Sequence, residues 1–154
     1  MSSSSVQLSP TEPFSHSNVY LVWHDQLQIQ HFPDWVKQEK PLLLFVESNH
    51  KANSIPYHKK KLVFVFSAMR HFALDCQEQG FPVFYHQSSL NYTAALSELL
   101  EKYNHWKLSY MRPSEWDSRK AMAELKFEHP TIQEHPNTFF LAPLERYVSR
   151  IAKG

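Results

Sequence analysis

Glycine is nearly absent: Gly80 and Gly154 are the only two in the chain. The usual dinucleotide-binding loop needs several glycines after its first strand, for the tight turn and for close approach of the pyrophosphate. Here the first apolar run passes straight into His24-Asp25-Gln26-Leu27. No phosphate-cradling lysine loop exists either, so tight binding of a dinucleotide by that loop is excluded. Cysteine is scarcer still. Cys76 stands alone, so an internal disulfide, a cysteine-rich zinc site and an iron–sulfur cluster are all ruled out. A single thiol fits a reducing compartment, and a cytoplasmic location is expected. No basic region followed by an apolar core opens the chain, so no signal peptide is expected. No apolar run approaches membrane-spanning length. A strong charge bias is missing too, since 16 basic and 15 acidic side chains leave a net charge of +1. That balance argues against strong nucleic-acid binding by the chain itself. The G-x-S-x-G of a serine hydrolase does not occur. Ten histidines are present but scattered, with no H-x-x-x-H pair on a clear helix, and no metal site is expected.

What is present is a core. Aromatic residues make up 14% of the chain and apolar residues 42%, more than a disordered chain carries. The 154 residues suit one domain. Residues 1–17 are rich in serine and read as a flexible tail, leaving one α/β domain over residues 18–150. Apolar-rich runs at 19–23, 42–46, 81–85 and 106–110 read as strands covered on both faces. A short fifth strand is expected near 131–134, and a short helical turn near 33–37. Between the strands, Leu62, Val65, Phe66, Met69, Phe72, Ala73 and Cys76 recur at steps of three and four, which predicts a long helix over 58–79. Gly80 is placed to cap it. Asn91 is a candidate cap for a helix running to about 104, and Ser114 or Asp117 for a third through Leu125. Alternation of strand and helix predicts a three-layer α/β sandwich on a mostly parallel, Rossmann-like sheet with right-handed crossovers.

Asp25 and Glu47 each follow an apolar run, at the carboxyl end of a predicted strand. If the first two strands are neighbours, both acids flank one crevice, where ligands of open α/β sheets bind. Asp25 serves equally well as the cap of a local turn. Two carboxylates without a nucleophile suit hydrogen bonding to a ligand better than chemistry. The candidate binding set is His24, Asp25, Gln26, Glu47 and His50, with Trp23, Phe45 and Phe64 as apolar walls; no catalytic residue is assigned. Cys76 falls on the apolar helix face and reads as core. Arg112-Pro113-Ser114-Glu115-Trp116 sets a tryptophan among charges, a pattern found at interfaces and ligand edges.

The helix run from Tyr57 to Ala73, YHKKKLVFVFSAMRHFA, resembles the signature of the deoxyribodipyrimidine photolyase-related proteins, the iron–sulfur bacterial cryptochromes and (6-4) photolyases. Asp25-Gln26-Leu27, Glu47, Gly80-Phe81-Pro82-Val83 with Tyr85, Glu115-Trp116 and Phe140-Leu141 resemble the same family. His24 departs from it, standing where glycine is usual. The resemblance implies an N-terminal antenna-type domain that holds 6,7-dimethyl-8-ribityllumazine or a flavin-like chromophore in the crevice of its sheet. In the family a helical C-terminal domain binds FAD, the iron–sulfur cluster and damaged DNA. Neither FAD nor the cluster is expected in this chain, and the chain alone is expected neither to catalyse nor to repair DNA. Implied partners are a helical FAD-binding photolyase domain or partner chain, or a second copy, with the aromatic segment 139–148 as a candidate contact. The alternative reading is a structural or interaction protein, a relic or split-photolyase subunit without a chromophore.

Overall fold

The computed structural model describes residues 13–48 and 56–137. Five strands, β1 (Asn18–Leu21), β2 (Leu42–Ser48), β3 (Val83–Ser88), β4 (Lys107–Met111) and β5 (Gln133–His135), form one sheet in the order β3-β2-β1-β4-β5. Every pairing is parallel. Four helices connect them: α1 (Asp34–Glu39), α2 (Pro56–Glu78), α3 (Tyr92–Lys102) and α4 (Trp116–Glu128). The three-layer, parallel, Rossmann-like sandwich expected from the sequence is the fold.

Period-two side-chain alternation in buried strands divides the interior into two cores. Val19 and Leu21 of β1 and Leu42, Leu44 and Val46 of β2 pack with Leu96, Leu99, Met122 and Leu125 of α3 and α4. Tyr20, Leu43 and Phe45 face the other way, onto Val36 of α1 and Met69, Phe72, Ala73 and Cys76 of α2. The first two crossovers therefore lie on one face and the last two on the other. The chain reverses direction beside β1, which makes the carboxyl ends of β1 and β4 the topological switch point.

Local chemistry sets the boundaries. Gly80 adopts φ +94°, and its N–H donates to the Gln77 carbonyl (3.0 Å) while Phe81 N–H reaches Cys76 (3.0 Å). These two bonds close α2 in a Schellman turn. Lys40, at φ 49°, ends α1 and sends its ammonium to the Gln79 carbonyl at 2.7 Å, where a cation meets the negative end of the α2 dipole. Asn91 caps α3, its Oδ1 accepting from Ala94 N–H at 2.8 Å. The expected cap of α4 is different. Glu115 is the N-cap residue and makes no side-chain cap bond, while the Ser114 hydroxyl is engaged by Asp25.

Two further differences concern burial and the amino-terminal stretch. Phe66 is half-buried and Phe64 is 82% exposed, so the stripe that meets the sheet is Met69, Phe72, Ala73 and Cys76, and Phe64 is no wall of a crevice. Residues 13–17, within the stretch read as a tail, include a 3-10 turn tied to β4. The Pro13 carbonyl accepts from Trp106 Nε1 (3.1 Å) and the Ser17 carbonyl from Lys107 N–H (2.7 Å). Segment 139–148 lies outside the described residues.

Candidate functional site

At the end of β1 the backbone turns at once, with Gln26 N–H bonded to the Trp23 carbonyl at 3.0 Å. The turn exposes His24 and Asp25 and carries Gln26 inward, to 1% exposure. Gln26 Nε2 donates to the carbonyls of Met111 (3.3 Å) and Arg112 (3.2 Å) at the end of β4. Its Oε1 is buried and accepts no hydrogen bond among the described residues. An unmet buried acceptor costs about 1–3 kcal/mol.

Asp25 accepts the Ser114 hydroxyl from the loop after β4. His24 Nε2 stands 3.5 Å from Glu115 Oε1, both side chains part-exposed. Three consecutive residues of the β1 loop thus engage the β4 loop. Behind them Trp23 stacks on Tyr92 of α3, with ring centroids 4.8 Å apart. Burial, and then the nearby Asp25 charge, push the Tyr92 phenol well above its ordinary range, so it stays protonated.

Glu47 belongs to a different constellation. Glu47 is 6% exposed, and its carboxylate receives four donors. Oε1 accepts from Arg70 Nε (3.0 Å) and the Tyr85 hydroxyl (2.5 Å); Oε2 accepts from Arg70 Nη2 (2.8 Å) and Gln87 Nε2 (3.0 Å). An ionised carboxylate has about four lone-pair sites, so this one is saturated. The hydrogen bond to Glu47 holds the Arg70 guanidinium above its usual pKa. Tyr85 is raised first by burial and then by Glu47. Phe45, wholly buried, stacks on Tyr85 at 5.8 Å.

Although β1 and β2 do pair, Asp25 and Glu47 engage different partners on either side of that pair. Asp25 meets the β4 loop; Glu47 meets α2 and β3. The structure brings His24, Asp25 and Gln26 together and binds Glu47 into the second cluster; His50 lies outside the described residues. Sequence reasoning missed Tyr92, Ser114, Arg70, Tyr85 and Gln87 as members. The pattern of Tyr85 and Gln87 two apart on a strand that pairs with β2 could have found two of them. Among the described residues no group of three or more His, Cys, Asp or Glu could hold a metal. Cys76 is buried, and its thiol is pushed up to about 12 by burial and then by Asp75, so it is an inert core residue.

Fold and site define an open parallel α/β domain whose β1 and β4 loops are joined by polar side chains at the switch point. The chain belongs to the family of deoxyribodipyrimidine photo-lyase-related proteins, whose sequence profile matches residues 20–153. It is also similar to a (6-4) photolyase of Agrobacterium fabrum (strain C58 / ATCC 33970), with 28% identity over 94 residues. That match covers 58% of this chain and 18% of the relative, so the chain spans only a small part of that relative's length.

Proposed function

We propose that this chain is an antenna-type domain that holds a lumazine or flavin-like chromophore at the carboxyl ends of β1 and β4. The observation that carries the reading is Gln26: a buried side chain pinned to β4 whose Oε1 has no donor among the described residues. A ribityl hydroxyl or a ring N–H of such a chromophore would satisfy it. Asp25 supplies a second acceptor at the rim, and the Trp23–Tyr92 pair supplies the apolar floor that a flat heteroaromatic ring needs. The donor set fits the group, since a polyol chain asks for acceptors and the rim presents carboxylate and amide oxygens. His24 replaces the family's glycine, but its ring reaches toward Glu115. When bound, the chromophore would absorb light and pass the excitation on; the residues named here bind and orient it. Glu47 acts at one remove, holding Arg70, Tyr85 and Gln87.

The test is a titration with 6,7-dimethyl-8-ribityllumazine followed by its fluorescence. Saturable binding below about 1 mM, equivalent to roughly 4 kcal/mol, is the expected result. Its absence would remove the antenna reading and leave the family membership untouched.

A second reading has its own observation. Val63 and Phe64 stand side by side on the amino-terminal half of α2, Phe64 almost fully exposed. Exposed apolar side chains in sequence suit a surface that another domain covers, and a helical FAD-binding domain, a partner chain or a second copy would do so. Sedimentation of wild type and of Phe64→Glu distinguishes self-association from a monomer that needs a different partner.

A further inference from the structure

One feature of α4 has no part in the crevice. Trp116, Arg119, Lys120, Ala123 and Lys126 recur at steps of three and four and form a single stripe along the helix. That stripe lines an open groove of about 670 Å³, closed on its other side by Arg112 and by Glu134 of β5. Four cations therefore face one acid among the described lining residues. That acid is already engaged, since Glu134 Oε1 accepts the Tyr110 hydroxyl at 2.7 Å. Arg119 is fixed in place by donating Nη1 to the carbonyls of Pro113 (3.3 Å) and Ser114 (2.8 Å). Trp116 remains 63% exposed, with the Lys120 ammonium 5.4 Å from its ring.

We propose that this groove is a nucleotide site, taking a phosphate on Arg112, Lys120 and Lys126 and a base against Trp116. Cations alone would suit any anion. An exposed indole set within a line of cations adds a platform for a flat ring, the pairing by which proteins hold single-stranded nucleic acid. The groove volume is that of a small-molecule site. A free mononucleotide and one unit of a single strand present the same chemistry. The near-zero net charge of the chain does not oppose the site, because the excess of cations is local.

The experiment uses the whole chain and two probes: adenosine 5′-monophosphate, and a fluorescein-labelled single-stranded DNA of about ten nucleotides. Saturable binding of either supports the site, and comparison of the two tells a free nucleotide from a strand. For the strand, the logarithm of the affinity should fall with the logarithm of salt, and the slope should shrink by about 0.7 for each cation removed by Lys120→Glu and Lys126→Glu. Trp116→Ala should weaken binding about 5- to 150-fold. Lys107→Glu, at the opposite end of β4, should change neither, and far-ultraviolet circular dichroism of each variant should match wild type. Three results would overturn the proposal: no saturable binding of either probe, indifference to Trp116→Ala, or displacement of the strand by polyglutamate as readily as by nucleotide. The last would make the groove a dock for an acidic protein surface. Lumazine binding plays no part in any of these readouts, so this site and the crevice stand or fall separately.

Discussion

Glu47 illustrates how little a residue's type says about its task. A carboxylate at a strand end is a natural ligand acceptor, yet this one already accepts four hydrogen bonds. Glu47→Ala should therefore act on stability. Removing it leaves the half-buried Tyr85 hydroxyl without its acceptor and Arg70 without its counter-ion. Because Arg70 is partly exposed and rehydrates, the loss should be about 1–3 kcal/mol, below the figure for a fully buried pair. Urea unfolding measures it, and a change within about 0.5 kcal/mol would show the cluster to be ornamental. Two histidines make the stability pH-dependent. Burial lowers the pKa of His86 and His135 from 6.5 in the folded chain, partly offset at His86 by Glu98. The unfolded state then binds more protons below about pH 6.5. Stability should be full above that pH, fall as the pH drops through it, and level off below the folded-state values. Comparing denaturant midpoints across this range for wild type and for His86→Gln with His135→Gln checks the sign, since the double variant should show a shallower fall.

The elements were legible in the sequence because each announces itself locally. Four apolar-rich runs gave four of the five strands within three residues. The three-and-four spacing gave α2, and Asn91 and Gly80 gave the ends of two helices. Depth of burial was less legible. Periodicity alone marks Phe66 and Phe72 as equivalent, but Phe72 packs within the core under the sheet and is buried, whereas Phe66 packs at its margin and is half-buried. Phe72→Ala should then cost about 3–5 kcal/mol, and Phe66→Ala clearly less; equal losses would mean the helix is seated differently. The Schellman turn offers a sharper check on an element end. A methyl group at Gly80 would meet the Lys40 ammonium at 3.0 Å, on a backbone at φ +94°. Gly80→Ala should destabilise by about 1–2 kcal/mol from the left-handed conformation alone. Lys40 can swing away, so the steric part is small.

At the scale of the whole molecule, the order of the strands decides where a ligand sits, and that order was invisible in the sequence. Strands buried on both faces carry no polar edge to say which neighbour each one takes. Pairing of the first two strands was the natural assumption and is correct, but the chain also reverses beside β1, and β4 takes the other edge. That reversal leaves the Asp25 loop facing β4 and turns Glu47 toward β3. The consequence is a ranking of variants. Asp25 is exposed and its structural bond is one to a loop hydroxyl, so Asp25→Ala should leave the unfolding midpoint close to wild type. If the chromophore binds at the switch point, the same substitution removes a hydrogen-bond acceptor and should weaken lumazine binding about 5- to 150-fold. Glu47→Ala should do the reverse, lowering stability while leaving the affinity of the folded fraction nearly unchanged. Fluorescence titration of both variants, at a temperature where each is fully folded, separates the cases. Loss of affinity in Glu47→Ala together with unchanged affinity in Asp25→Ala would move the ligand from the β1–β4 crevice to the β2–β3 end of the sheet, where Arg70 and Tyr85 would become its contacts.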